Sequence, residues 1–267
     1  MEQITVDEMK DRLGAFVDGS AENRISQEQA IEQRLVGMKL YERPLLGVAR
    51  ADDERFLILK QPEAIGAHFL LPKEWMPEGK TVISIFFPYT EEIKRANAQP
   101  GDEPAPEWLH GRFEGQQFLD KACAWLKEQL EALGGTVVVP TWDPRFQKIG
   151  FSSNWSERHV AFLSGLGTFG LSKGLITKAG MAGRLSSLIT DLEFPPTPCP
   201  YQDLYEYCSR CGACIRRCPA GAISFEKGKD HQLCMEFLGS VGKKHAPRYG
   251  CGKCQTGVPC ESKIPTL

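Results

Sequence analysis

Apolar and polar positions follow two clear patterns in the middle of the chain. The run Thr81-Val-Ile-Ser-Ile-Phe-Phe87, closed by Pro88, is almost wholly apolar and predicts a buried strand. Thr136–Val139 predicts a second strand, so this region forms a strand–helix–strand unit. The helix between them is predicted by apolar residues three and four positions apart and ends at two glycines; its stripe is Phe118, Ala122, Trp125, Leu126, Leu130 and Leu133.

Shorter signals predict further elements on both sides of this unit. Ser26 followed by Gln29 has the form of a capping box, which predicts a helix through about Tyr41. Another helix is expected from about Ser156 to Leu163, and another strand over Leu185–Leu192. Together with the central unit, these signals predict a chain of mixed helices and strands.

Composition narrows the class of protein. The chain has 267 residues, 42% hydrophobic and 25% charged, which is typical of one large or two smaller globular domains. The Pro-rich segment 195–200 is the best boundary candidate, so we expect a core at 1–197 and a second domain at 198–267. A net charge of −2 excludes a global basic field for nucleic acid. No apolar run is long enough for a membrane span and the start lacks a signal-peptide pattern, so we expect a cytoplasmic location.

The most specific chemical signal is a run of four closely spaced cysteines that ends at Pro219. Its spacing, C-x2-C-x2-C-x3-C-P, is that of bacterial ferredoxins, in which the fourth cysteine ligates the other of two [4Fe–4S] clusters. A second cluster is therefore expected, and four downstream cysteines bring the thiolates to the eight that two clusters need. The first cluster is assigned to Cys208, Cys211, Cys214 and Cys260. The second is assigned to Cys218, Cys234, Cys251 and Cys254.

Two other uses of these cysteines explain the pattern less well. Zinc would take four ligands, commonly two CxxC pairs, and leaves the ferredoxin run unexplained. Disulfides need an oxidising compartment, which the expected location does not provide. Cys123 lies in a helical pattern and is interpreted as a buried apolar residue, and Cys199 as a loop thiol, with an alternative ligand as the other reading.

A glycine-rich motif allows a competing interpretation. Gly165-Leu-Gly167-Thr-Phe-Gly170 matches G-x-G-x-x-G, with Asp191 about twenty residues further on, as in dinucleotide-binding folds. The context differs, because the preceding segment is predicted to be helical and further glycines follow. Backbone that approaches a large flat cofactor explains the same glycines.

Several motifs together resemble one known family. The block Glu157-Arg158-x-x-Ala161-x-x-x-Gly165-Leu-Gly167-x-x-Gly170, followed by Ile189-Thr-Asp-Leu192 and the ferredoxin run, is similar to the epoxyqueuosine reductases. Those enzymes share a catalytic core with the reductive dehalogenases. Tyr249-Gly-Cys251-Gly-Lys-Cys254 resembles the closing motif of the family, and Trp108-Leu-His-Gly-Arg112 lies where the family has an aromatic–glycine–arginine patch.

The resemblance implies a fold, cofactors and binding residues. The fold class would be α+β, with a nitroreductase-like α/β core followed by a bacterial-ferredoxin-like domain with two [4Fe–4S] clusters. A corrinoid of the cobalamin type would be bound base-off on the core and would receive electrons singly from the clusters. The residues implied to line the corrinoid are Arg158, Gly165, Gly167 and Gly170, with Arg112 as a further cation.

Two departures from the family bear on the substrate. The family has an acidic residue about six positions before the Glu-Arg pair, which the resemblance implies is its proton donor, whereas residues 150–156 here contain none. The family's tRNA-handling helical repeats also follow the cluster domain, whereas this sequence ends at Leu267. Both departures count against tRNA as the substrate. The candidate proton donors at the expected cavity are His110, Tyr89, Ser152, Ser153 and Glu157.

Functions of different classes remain open at this point. The first is an iron–sulfur, corrinoid-dependent reductase that acts on a small or tRNA-linked substrate and takes electrons from a low-potential donor such as ferredoxin or flavodoxin. The second is an electron-transfer protein or corrinoid reductase with no organic substrate of its own. A third is a structural cluster protein that senses iron or oxygen. Cobalamin binding and turnover with a strong one-electron donor would separate them.

Overall fold

The computed structural model describes residues 4–266, and the statements below refer to this range. The helices are α1 (Val6–Gly19), α2 (Arg55–Ile58), α3 (Pro72–Trp75), α4 (Glu91–Ala98), α5 (Pro106–Ala132), α6 (Glu157–Leu163), α7 (Ala213–Arg216) and α8 (His231–His245). The strands are β1 (Leu45–Arg50), β2 (Thr81–Pro88), β3 (Val137–Val138), β4 (Lys148–Ile149), β5 (Ser152–Ser153), β6 (Gly167–Phe169), β7 (Leu175–Thr177), β8 (Gly183–Thr190), β9 (Ile223–Ser224) and β10 (Gly228–Lys229).

A four-stranded sheet forms the centre of the core, in the order β1-β2-β8-β3 with antiparallel neighbours throughout. All eight residues of β2 are buried, because strands cover both of its edges and helices cover both of its faces. The chain reaches β3 from β2 through α5, and β8 is later inserted between the two strands. The expected strand–helix–strand unit is thus present, with its two strands separated by a third.

Helices pack on both faces of this sheet. On one face Ile83, Ile85 and Leu188 pack with Phe118 and Leu126 of α5, within an apolar cluster that also includes α1. On the other face Val82 and Ile189 lie in a second cluster that contains Trp155, Val160 and two further aromatic residues, Phe56 and Trp75. The sheet therefore holds α5 and α6 on opposite sides, and residues from both helices reach the cysteine-rich part of the chain.

Most of the expected elements are found, with shifted ends. The strand at 81–87 is observed as β2, the helix at 156–163 as α6, and the strand at 185–192 as β8. The long helix is α5, which begins at Pro106, well before the apolar stripe that predicted it. Proline at the first helical position accounts for this start, because its missing N–H costs the helix nothing there. The mixed architecture confirms the expected α+β class.

The helix predicted from Ser26 to Tyr41 is wrong. Ser26 and Gln29 do exchange the capping-box hydrogen bonds, but the segment continues as turns and a single 3-10 turn at Gln33–Leu35. Gly37 lies at φ +82°, where a helix cannot continue, and it donates its N–H to the carbonyl of Ile25. This fold-back buries Leu35 and Met38 in the core, and that burial outweighs the local helical signal.

The cysteine-rich part after residue 200 contains few regular elements. Its longest is α8, which follows the short hairpin β9–β10 and leaves Val241 as its one fully buried side chain. The Pro-rich segment before it runs along the edge of β1, where the N–H of Thr197 donates to the carbonyl of Val48 at 2.9 Å. Within residues 4–266, none of the helices has the length and apolar character needed to cross a bilayer.

Candidate functional site

Four cysteines line one cavity beside the β6–β7 hairpin: Cys208, Cys211, Cys214 and Cys260. Cys208 and Cys211 lie on a loop that turns sharply because Arg210 and Gly212 adopt left-handed backbone conformations, at φ +50° and +70°, and Cys214 lies in the short helix α7 that follows. Ile176 and Met181 supply apolar walls to the cavity, and Cys260 Sγ lies 3.6 Å from Met181 Sδ. The structure thus brings together the four cysteines that the sequence assigns to the first cluster.

Cys260 reaches this cavity because the C-terminal tail is anchored to the turn between β7 and β8. The N–H of Met181 donates to the carbonyl of Cys260 at 2.9 Å. Gly180 lies at φ +76°, and a Cβ there would come within 2.1 Å of the carbonyl oxygen of Glu261. Only glycine permits such a close backbone approach. A contact between two distant segments therefore positions the last ligand candidate.

The second assigned group also comes together. Burial raises the pKa of the Cys251 thiol to about 12, and neighbouring negative charge on Cys254, Cys218 and Cys234 acts in the same direction. Burial is likewise the main cause that raises the pKa of Cys254, with contributions from Cys218 and Cys234. Cys218 Sγ also accepts a hydrogen bond from the N–H of Ala222 at 3.3 Å. These four thiols are thus close enough for their charges to interact.

The chemistry of the two groups fits [4Fe–4S] clusters. Each group offers four sulfur ligands, which is the donor set that such clusters use. The groups are neighbours: burial raises the pKa of Cys214 of the first group, and the nearby charge of Cys254 of the second acts in the same direction. Burial raises the pKa of Cys214, Cys251, Cys254 and Cys260, so iron binding at these thiols would release protons and stabilise the folded loops.

The start of α5 supports the loop of the second group. A Cβ at Gly252 would lie 2.0 Å from the Trp108 ring, so the loop backbone packs directly on the indole. A Cβ at Gly250 would lie 2.6 Å from Arg112 Cγ. The Arg112 guanidinium lies 4.8 Å from the centroid of the Tyr249 ring, in a cation–π contact. The motif Trp108–Arg112 therefore positions the residues that carry Cys251 and Cys254.

A buried ion pair ties the same loop to the middle of α5. Arg248 donates to both carboxylate oxygens of Glu114 and to the carbonyl of Gln29, and the two side chains are 13% and 4% exposed. His110 Nδ1 lies 3.0 Å from Glu114 Oε2. Interactions with His110 and Arg248 keep the pKa of Glu114 low despite burial, which acts in the opposite direction. The carboxylate is therefore the charged partner of a structural clamp.

The start of α6 and the second cysteine group border one surface of the protein, which we call the cleft. The Arg158 side chain is solvent-exposed, yet desolvation lowers its pKa, and the thiols of Cys254 and Cys234 lie near enough to oppose this shift. Burial lowers the pKa of His231 of α8, and the nearby charges of Lys229 and Arg158 act in the same direction. The ring of Phe151, which is 63% exposed, stacks on His231 at a centroid distance of 6.0 Å.

Glu157 lies next to Arg158 in a defined hydrogen-bond chain. Trp155 Nε1 donates to Ser187 Oγ at 2.9 Å, and Ser187 Oγ donates to Glu157 Oε2 at 2.7 Å. An indole N–H can only donate, so the direction of both bonds is fixed. Oε1 of Glu157 is buried and has no hydrogen-bond partner within residues 4–266. Desolvation raises the pKa of Glu157 to about 7, although the bond from Ser187 lowers it.

The other proton-donor candidates lie elsewhere. Tyr89 is fully buried, stacks on Tyr41 at 5.2 Å, and donates its hydroxyl to the carbonyl of Gly111. Burial raises the pKa of Tyr89 to about 12. His110 is also fully buried, and its Nε2 accepts from the N–H of Ile31. Neither is brought to the cleft.

Ser152 and Ser153 lie on the hairpin next to Phe151, at the edge of the cleft. Ser152 Oγ is 3.3 Å from His68 Nε2, and Ser153 Oγ donates to the carbonyl of Trp155. The structure therefore places Glu157 beside Arg158, Ser152 and Ser153 at the cleft edge, and His110 and Tyr89 in the core.

The three glycines implied to line a corrinoid pack against the protein itself. A Cβ at Gly167 would lie 2.0 Å from the carbonyl oxygen of Ile176 across the β6–β7 hairpin. Gly165 has φ +81° and approaches the carbonyl of Pro198, while Gly170 contacts Met181 at the first cysteine cavity. Close approach within the protein therefore accounts for these glycines. The strand and turn that follow also differ from the helix that a dinucleotide motif requires.

The two leftover cysteines have no part in either group. Cys123 is fully buried in α5, which confirms its interpretation as an apolar core residue, and burial raises its pKa to about 12. Cys199 is a half-buried loop thiol that accepts a hydrogen bond from Arg55 at 3.3 Å.

Several residues of the site were not predicted from the sequence. Ser187 and Trp155 orient Glu157, and Glu114 with Arg248 clamps the second loop, but these pairs are separated by 32 and 134 positions. Single-sequence patterns carry no signal for contacts of that separation. The sequence gives one local hint of the role of Arg248, because this residue stands three positions before the CxxC pair.

Comparison with known proteins agrees with the cysteine chemistry. Residues 201–224 match the family described as a 4Fe-4S binding domain. An epoxyqueuosine reductase of Francisella cf. novicida is 27% identical over 221 residues, which cover 75% of this chain and 58% of that protein. The epoxyqueuosine reductase of Bacillus anthracis is 25% identical over 70% of this chain and 50% of its own length. The chain thus spans little more than half the length of these relatives.

Solved structures share the fold. The crystal structure of an epoxyqueuosine reductase with an epoxyqueuosine-modified tRNA-Tyr stem loop matches 98% of this chain and 68% of its own, with a TM-score of 0.55 and 19% identity. A reductive dehalogenase, described with a mechanism for B12-dependent dehalogenation, matches 83% of this chain and 30% of its own with the same TM-score and 15% identity. The resemblance drawn from the motifs and the expected fold class are confirmed.

Proposed function

We propose that this chain, an iron–sulfur protein related to the epoxyqueuosine reductases, is a reductase with two [4Fe–4S] clusters that deliver electrons to a corrinoid in the cleft beside Glu157 and Arg158. Cys208, Cys211, Cys214 and Cys260 hold the first cluster in this proposal, and Cys218, Cys234, Cys251 and Cys254 hold the second. The observation that supports this proposal is the position of the two cysteine groups relative to solvent and to Arg158. Cys211 of the first group is exposed, and Cys254 and Cys234 of the second group lie near Arg158 at the cleft.

The residues around the cleft suit a corrinoid, whose flat macrocycle carries polar amide groups at its rim. Arg158 has no hydrogen-bond or ion-pair partner within residues 4–266, and the buried Glu157 Oε1 is unsatisfied. Unpaired polar groups next to an exposed ring such as Phe151 fit a ligand with an apolar face and a polar rim. A bound corrinoid would supply a low-valent cobalt for two-electron reduction. Arg158 would bind its rim, and the apolar mouth would exclude water.

Glu157 is the proton donor in this proposal. Ser187 holds Oε2 as an acceptor, so a proton on the carboxyl group resides on Oε1, which is free of other partners. A carboxyl group with a pKa near 7 is about half protonated at neutral pH, which suits general acid catalysis. It takes the place of the family's acid, whose expected position is occupied here by Phe151.

The names of the relatives suggest a substrate class to test. A tRNA-linked epoxyqueuosine is the first substrate to test, because related enzymes are named for it. The reconstituted chain should shift the visible spectrum of added cobalamin and, with a strong one-electron donor, reduce an epoxyqueuosine-modified stem loop. Binding without turnover would instead favour the corrinoid reductase, which has no organic substrate. Failure to bind cobalamin would leave the electron carrier.

We expect about eight irons and eight sulfides per chain after anaerobic reconstitution. In Cys218→Ser the cluster held with Cys251 and Cys254 should be lost, while the one held by Cys208 remains, because the cysteine before Pro219 serves the other cluster. Iron analysis and electron paramagnetic resonance of the reduced protein measure both. About four irons per chain in the unsubstituted protein would exclude the second cluster, and selective loss of the first in the variant would reverse the assignment.

The ionisation of Glu157 can be measured without cofactor or substrate. Its pKa is raised from 4.5 to about 7, so its contribution to stability is fully present below pH 4.5 and is lost as the pH rises through 7. Glu157→Gln removes this dependence and should therefore gain about 2–3 kcal/mol relative to the unsubstituted protein between pH 4.5 and pH 8. Urea unfolding across this range measures the difference. A parallel pH dependence of the two proteins would place the pKa near its ordinary value.

A further inference from the structure

We propose that a basic groove beside the first cysteine group is the docking surface for a small acidic protein that carries one electron. The groove is lined by Lys173, Arg210 and Lys227, and we call it the basic groove. The inference rests on the proposed function, because it concerns how electrons enter the first cluster. It adds where electrons enter the protein and which charge the electron-donor protein carries.

The basic groove adjoins the cavity of the first cysteine group. It shares Leu171, Cys208 and Arg210 with that cavity. Two aromatic residues, Tyr205 and Phe225, complete its walls, and Phe225 is 46% exposed. A protein seated in the groove would therefore touch the loop that carries two of the four ligand candidates.

The charge of the groove is mostly positive. Lys173, Arg210 and Lys227 face a single acidic lining residue, Glu226. Arg216 extends the positive region, with its guanidinium 3.4 Å from the carbonyl of Cys211. Within residues 4–266, neither Arg210 nor Lys227 forms a salt bridge, so both charges are available to a partner.

Two of these cations are held in unusual backbone conformations. Lys173 at φ +62° and Arg210 at φ +50° are the two non-glycine residues with positive φ among the described residues. This conformation costs about 1–2 kcal/mol for a residue with a Cβ, and such strain is concentrated at functional sites. Lys173 Nζ is further oriented by a 2.9 Å hydrogen bond to the Tyr205 hydroxyl. The cations are therefore positioned by the fold.

An external electron donor reaches the first cysteine group more readily than the second. Cys211 is exposed, whereas the other assigned ligands are half-buried, and the second group faces the cleft. In each encounter the donor is oxidised by one electron and the first cluster is reduced by one, and no bond or proton moves. An acidic carrier would be steered to this entry point by the positive field, which raises association rates at low salt.

An RNA backbone is the other occupant that positive charge could attract. The location favours the donor protein, because the groove is lined by the ligand candidate Cys208 and by Arg210, which precedes the exposed Cys211, and an RNA substrate has no need to approach these cysteines. The patch is also small, as expected for a weak electron-transfer contact that buries less than about 1,200 Å².

The test uses the reconstituted chain and a reduced or oxidised acidic ferredoxin as the probe. In the variant Arg210→Asp/Lys227→Glu, we expect affinity for the oxidised ferredoxin to fall at least about tenfold at low salt, and the difference to shrink at high salt. The rate of cluster reduction by the ferredoxin should fall in parallel, whereas the rate with reduced methyl viologen, a small cation, should not fall. Lys10→Glu/Arg12→Asp on α1 changes the net charge equally and should leave all three quantities unchanged.

Each outcome decides a separate question. Equal loss of ferredoxin affinity in the groove variant and the α1 variant would contradict the proposed docking surface. A groove variant that loses affinity only for an RNA stem loop, and not for ferredoxin, would also contradict it. Lys227→Glu alone, in the turn between β9 and β10, keeps the test valid if Arg210→Asp disturbs the ligand loop; a loss of about threefold or more is expected there. If the unsubstituted chain assembles no cluster, the proposed function fails as well; if it does assemble clusters, only the docking surface is at stake.

Discussion

Glu157→Gln should lower the rate of substrate reduction by about 10²–10⁴-fold, the usual contribution of a general acid. Glutamine keeps the size of the side chain and can still accept the hydrogen bond from Ser187 Oγ, but it has no acidic proton to give. The assay uses whichever substrate the unsubstituted protein reduces, either the modified stem loop or the nucleoside. Both clusters should still be reduced at the ordinary rate, because the cysteine ligands lie outside this hydrogen-bond chain.

A matched variant separates proton donation from simple disturbance of the cleft. Ser187→Ala leaves the acid in place and removes the hydrogen bond that lowers the pKa of Glu157, so its pKa should rise. Activity of the unsubstituted protein should be highest below about pH 7 and fall above it, and in Ser187→Ala this fall should move to higher pH. A Glu157→Gln protein that retains activity within about threefold of the original, with an unchanged pH profile, would assign proton donation to another group.

Local patterns predicted the parts of the fold that depend on local periodicity. The apolar run of β2 and the stripe of α5 describe elements that are buried on the faces their patterns indicate. The cysteine spacing was equally informative, because three ligands of one cluster must come from one tight loop. The 26–41 segment was mispredicted because Ile25 exchanges backbone hydrogen bonds with Gly37 and Met38, and this fold-back, which no local pattern contains, buries Leu35 and Met38 in the core.

The cleft was harder to predict because its parts come from distant elements. Glu157 acquires its raised pKa from burial beside β8, and Arg158 lies near thiols about a hundred residues further on. The glycines of residues 165–170 gave an ambiguous signal for a physical reason: a missing Cβ allows close approach of a cofactor or of backbone alike. In the structure, the carbonyl of Ile176 occupies the space beside Gly167 where a cofactor could otherwise pack.

Glu114→Gln should destabilise the protein by about 3–5 kcal/mol, because it leaves the Arg248 cation largely buried without its charged partner. Glu131→Gln is the matched control on the same helix. Its carboxylate pairs with Lys127 at the surface, where an ion pair contributes about 0–1 kcal/mol. Urea unfolding of the two variants measures both effects.

The same change should release the second cluster before the first. Arg248 stands three residues before Cys251, and its bonds to Glu114 and to the carbonyl of Gln29 fix the loop that presents Cys251 and Cys254. Iron release to a chelator, followed by visible absorption, should therefore be faster in Glu114→Gln and remain selective for that cluster. Equal retention of iron in Glu114→Gln and Glu131→Gln would mean that the packing of Gly252 on Trp108 holds the loop without the ion pair.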